Sequence, residues 1–137
     1  MNQETSLNSV PPVTSSQQTT KALNDSYKDI SGRIIQIQKQ MDKPQSPREI
    51  AEDRLTLSKS YGRLSEMQAY LEMQQNIWWR GHRENYKSDA SAEPAWGLTW
   101  EGEMHTQIKY KLKALDKMIS SLKTMLEVAQ SELRHQL

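Results

Sequence analysis

The 137-residue chain contains no cysteine and no phenylalanine. Without cysteine it has no disulfide framework, no thiolate metal site and no cysteine nucleophile. Its longest apolar runs are two or three residues, whereas a helix that crosses a bilayer needs ~20. Apolar residues make up only 35%, below the usual ~45–50% for a globular domain, and the deficit is filled by Gln, Ser, Thr and Asn. Neither sign of charge dominates. The 18 basic and 17 acidic residues leave +1, so any attraction to a polyanion must come from a local patch.

The first stretch, residues 1–20, has little that can fold. It carries one charge, Glu4, and beyond Met1 only Leu7, Val10 and Val13 as aliphatic residues. Pro11-Pro12 removes donors that a helix or a ladder requires. The basic start and apolar core of a signal peptide are both missing. Such a segment buries too little to offset its ordering entropy, so the reading is a flexible N-terminal arm, disordered or extended along a partner.

From Lys21 a helical pattern begins. Leu23, Tyr27, Ile30, Ile34, Ile37 and Met41 are spaced 4, 3, 4, 3, 4, the a/d seam of helices that wrap around each other. Lys43-Pro44 ends this helix, because a residue before proline is pushed out of the α region. Ser46-Pro47-Arg48-Glu49 restarts it as a capping box with proline at N1. Behind the box, Ile50, Leu57, Leu64, Leu71 and Trp78 recur every seven residues, with Tyr61 at an intermediate position. Met67, Tyr70 and Ile77 make a looser second stripe. Pro94 and Gly97 read as breakers of residues 88–99. A third helix follows, with Thr99 as a candidate cap. Its seam holds Met104, Ile108, Leu112, Leu115, Ile119, Leu122, Leu126, Ala129 and Leu133. The fold class is therefore all-α: an elongated antiparallel bundle or coiled coil of three helices, about 21–42, 47–84 and 100–135, behind the arm at 1–20. So long and apolar-poor a monomer has a thin core, and self-association along Leu112, Leu115, Ile119, Leu122 and Leu126 would thicken it.

Catalytic patterns are missing. There is no phosphate-binding glycine loop, no dinucleotide fingerprint, no HExxH and no GxSxG. His82, His105 and His135 lie far apart on polar stretches, although His82 and His105 flank the same loop. Glu101 and Glu103 at a helix start suit the macrodipole. The expectation is a non-enzyme with no cofactor and no metal.

Two segments depart from this background. Ile77 to Lys87 mixes Trp78, Trp79 and Tyr86 with Arg80, Arg83 and Lys87. Indole and guanidinium planes stack on exposed bases, and the same residue types dominate protein interface hot spots. Trp78 continues the seam and reads as core, whereas Trp79, Arg80 and Arg83 read as contacts. Trp96 and Trp100 join them, so all 4 tryptophans fall within residues 78–100 and either plug the bundle or touch a partner. The second segment is the run Lys109, Lys111, Lys113, Lys117 and Lys123, opposed only by Asp116. Lys109, Lys113 and Lys117 share one helical face, which is a solvated stripe or an electrostatic footprint for phosphates or an acidic surface.

Three functions compete on these grounds. The leading one is a helical assembly or adaptor protein that self-associates and docks a protein partner through its Trp/Arg-rich hairpin end. The second is an oligomeric accessory protein for single-stranded nucleic acid. The order of long helix, aromatic-basic end, loop and basic helix over residues 50–130 resembles phage recombination mediators in layout, but no motif accompanies it, so no family and no residue roles follow. The third is a small inhibitor of a partner enzyme. The cytoplasm is the default location for a chain with no targeting segment and no membrane span, and a place within a larger assembly there is compatible with the leading function.

Overall fold

A computed structural model describes residues 15–136, and every regular element among them is helical. Among the described residues there are four α-helices rather than three: α1 (Ser15–Met41), α2 (Pro47–His82), α3 (Asp89–Gly97) and α4 (Trp100–Gln136), with a 3-10 turn at Arg83–Asn85. The chain divides into two compact units, the first ending at Arg33 within α1 and the second beginning at Ile34.

In the first unit α1 already exists at Ser15, so Ser15–Thr20 belong to a helix and not to the arm. No proline or glycine follows Val13 until Gly32, and a helix once nucleated propagates through residues that merely tolerate it. The remainder of the proposed arm, residues 1–14, lies outside the described residues. Asp29 and Arg33 form an i,i+4 pair at 3.4 Å, and Ile30 of the seam is fully buried.

In the second unit α2 and α4 run antiparallel. Glu72 meets His105, with 3.6 Å between Oε1 and Nε2, while Ile50 shares a groove with Met125, Val128 and Ala129. Ile50, Leu57, Leu64, Met67 and Leu71 are buried from α2, and Met104, Ile108, Leu112, Leu115 and Leu122 from α4. Ile34 and Ile37 are buried as well. One register detail differs from the pattern: Ser60 takes the buried place between Leu57 and Leu64, whereas Tyr61 is 37% exposed. Spacings of 3 and 4 both keep a residue on the seam, and the slot accepts the small side chain. Met67 consequently lies in the main seam, and Ile77 is 52% exposed.

The start of α2 is built as the capping box requires. Ser46 Oγ accepts from the Glu49 N–H at 3.2 Å, and the Ser46 N–H donates to Glu49 Oε1 at 3.1 Å. The Ser46 backbone N–H on Oε1 does most to hold the Glu49 carboxyl below its ordinary value, and the Ser46 hydroxyl beside it adds to the effect. A carboxylate lowered in this way supports the fold above its ordinary pKa and loses that support as pH falls through the lowered one. Ser46→Ala is expected to cost ~1 kcal/mol and to move the Glu49 titration upward. Carboxyl chemical shifts followed against pH measure this, and an unmoved Glu49 would disprove the coupling.

The fourth helix, α3, occupies the stretch expected to be a loop. Ser88 and Ser91 cap it reciprocally, at 3.2 and 3.1 Å. Pro94 sits inside it and forfeits the single bond its missing N–H would have made to Ala90. Burial of Ala92 and Trp96 offsets that loss. Thr99 then caps α4, its Oγ1 accepting from the Gly102 N–H at 3.0 Å.

Candidate interaction surfaces

The hairpin end gathers its aromatic rings inward. Trp78, half-buried, stacks on His82 with centroids 4.8 Å apart and planes 7° apart. It also meets Trp79 edge-on at 6.0 Å, Tyr86 at 6.1 Å and Trp96 at 6.0 Å. Trp96 is only 6% exposed, so it acts as a plug and is closed to a partner. Trp79, Tyr86 and Trp100 are half-buried.

Arg83 is committed within the chain. Its Nε pairs with Asp89 Oδ1 at 2.6 Å, and its Nη1 donates to the Tyr86 carbonyl at 2.7 Å. The guanidinium thereby ties the 3-10 turn to the first turn of α3, where an aspartate also suits the helix dipole. Of the basic residues at this end, Arg80 and Lys87 remain exposed, as does the apolar Leu98 at 80%.

Along α4 the proposed seam splits. Leu112, Leu115 and Leu122 are buried within a single chain, which spends them on the fold. Ile119, Leu126 and Ala129 are half-buried, and Leu133 is 49% exposed. On the outer side Lys109, Lys113 and Lys117 are exposed, and Lys113 Nζ lies 5.6 Å from the centroid of Tyr110. Sequence reasoning passed over Tyr110, although an aromatic residue between lysines on one helical face is a readable signal.

The histidines do not meet as a catalytic or metal set. His82 Nδ1 lies 2.9 Å from the Trp78 carbonyl, and His135 Nδ1 lies 2.7 Å from that of Ser131. His105 faces Glu72 with its Nε2 buried and without a hydrogen bond. Among the described residues no three His, Asp or Glu side chains come together to hold a metal ion, and no helix is long and apolar enough to cross a membrane. Compared with known proteins, the chain matches no family, no curated protein and no solved structure.

Proposed function

We propose that the chain is a non-enzymatic helical assembly protein that self-associates and presents its hairpin end to a protein partner. One observation carries the reading: the heptad pattern of α4 outlasts its own cover. Ile119 is already half-buried, and beyond Leu122 no seam residue is buried: Leu126 and Ala129 are half-covered and Leu133 is 49% exposed. The first turn of α2, at Ile50, lies beside Met125 to Ala129, so the last turns of α4 continue past the helix they pack on. A seam without cover is the place where a second copy adds buried area. At the other end Arg80, Lys87 and Leu98 supply exposed charge and apolar surface for a partner.

Sedimentation equilibrium tests the reading. The full chain is expected to associate, and Leu133→Asp to dissociate it with helical content unchanged, because a half-exposed position tolerates charge in the monomer. A wild-type chain that sediments as a monomer, or an oligomer indifferent to the aspartate, would defeat it.

A further inference from the structure

The outward face of α4 has a separate character. Between Glu103 and Glu127 its one carboxylate is Asp116, set against Lys109, Lys111, Lys113, Lys117 and Lys123. In a chain of net charge +1, this is a local concentration of positive charge. Lys109, Lys113 and Lys117 follow one another at i,i+4, a rise of ~6 Å per step. Among the described residues none of the three has a carboxylate within ion-pair distance.

Tyr110 lies on the same face and is 63% exposed, unlike the rings gathered at the hairpin end. The Lys113 ammonium over its ring, 5.6 Å from the centroid, leaves the phenol among cations and open to solvent. Evenly spaced cations call for spaced negative charges, and an exposed flat ring among them calls for a flat apolar partner. An acidic peptide supplies the second only where an aromatic residue happens to fall in register with its carboxylates. A duplex supplies phosphates but keeps its bases stacked on one another, whereas a single strand offers both.

We propose that this face of α4 binds single-stranded nucleic acid, with Lys109, Lys113 and Lys117 neutralising phosphates and Tyr110 stacking on a base. The footprint differs from the aromatic-basic hairpin, where Arg83 and Trp96 are used internally. It is independent of self-association, because the lysines point away from the seam that Leu126 and Leu133 continue.

The test is fluorescence anisotropy of the full chain with a labelled oligothymidylate of about 30 nucleotides, roughly two of the larger site sizes known for OB-fold single-strand binders, between ~50 and ~200 mM salt. Wild-type affinity is expected to fall steeply with salt. The triple variant Lys109→Gln, Lys113→Gln, Lys117→Gln should flatten the slope by about 2, at ~0.7 per phosphate lost. Tyr110→Leu should weaken binding about tenfold with the slope retained, since stacking is not a charge effect. Lys59→Gln, an exposed lysine of α2, should change neither. All these positions are exposed or solvent-facing, so circular dichroism should be the same throughout. Absence of binding at ~50 mM salt, an unchanged slope in the triple variant, or equal affinity for duplex DNA would overturn the proposal. So would equal affinity for polyglutamate, which would assign the face to an acidic polypeptide.

Discussion

Alanine in place of Gly102 is expected to lower the unfolding midpoint, although the same change stabilises most helices. Gly102 is buried in the first turn of α4, where that helix departs from α3. A Cβ built there falls against the Trp96 carbonyl oxygen, 2.8 Å from the Trp96 carbonyl carbon and 3.0 Å from Gly97 Cα. All three atoms are backbone, so no rotamer change relieves the overlap. Overpacking of this kind costs ~1–3 kcal/mol or more, which exceeds the ~1 kcal/mol that alanine gains over glycine inside a helix. Gly62 provides the contrast, since nothing lies within 4 Å of a Cβ there. Gly62→Ala should therefore raise the midpoint by a few degrees, as ~1 kcal/mol does in a chain of this size. Thermal unfolding followed by circular dichroism compares the pair, with tryptophan emission reporting on Trp96. Two alanines that stabilise equally would mean that α3 and α4 do not approach as closely as described.

The close approach at Gly102 also shows what kind of information the amino-acid order carried. The seams of α1, α2 and α4 were legible because each repeats over several heptads, and the Ser46–Glu49 box was legible because its chemistry is local. α3 was not. In nine residues it has no room for a period, and Pro94 and Gly97 look like breakers when read alone. What makes it a helix is reciprocal capping by two serines and the burial of Ala92 and Trp96, and the second of these is tertiary. The choice of Ser60 over Tyr61 is tertiary too, because both spacings satisfy a heptad and only the facing helix decides. A readable hint of the junction did exist: a glycine within the first turn of a helix, where alanine would serve better, asks for a reason in packing.

The candidate surfaces divide along the same line. Charge placement along one helix follows from spacing, so Lys109, Lys113 and Lys117 were assigned to a common face and lie exposed there. Whether an arginine or tryptophan in a mixed cluster is free for a partner depends on what folds over it. Arg83 resembles Arg80 in the sequence, yet it is held by Asp89 and Tyr86. The aspartate that engages it lies in the helix the pattern did not reveal. Trp96 is likewise buried by packing between elements that no single-helix pattern encodes.

The largest loss of stability is expected at Leu115. It is fully buried near the middle of α4, as are Leu57 and Leu64 of α2. Leu→Ala at such a position removes the transfer free energy of the side chain and leaves a cavity, which together cost ~2–5 kcal/mol. The upper part of that range applies here because a core built from so few apolar residues has little material with which to refill the space. Total stability of a domain is ~5–15 kcal/mol, so one truncation removes a large share. Met73 offers the matched control on an outer face, 61% exposed, where Met73→Ala should fall within ~0.5 kcal/mol. Urea titrations at one protein concentration separate the two, a condition that matters because the proposed self-association would make apparent stability depend on concentration. The midpoint should drop for Leu115→Ala and hold for Met73→Ala, with the denaturant slope alike in both, since the same surface is exposed on unfolding. Comparable losses at the two positions would show that the inward seam of α4 does not form the core, and the partly covered remainder from Leu126 to Leu133 would then lose its standing as the place proposed for a second copy.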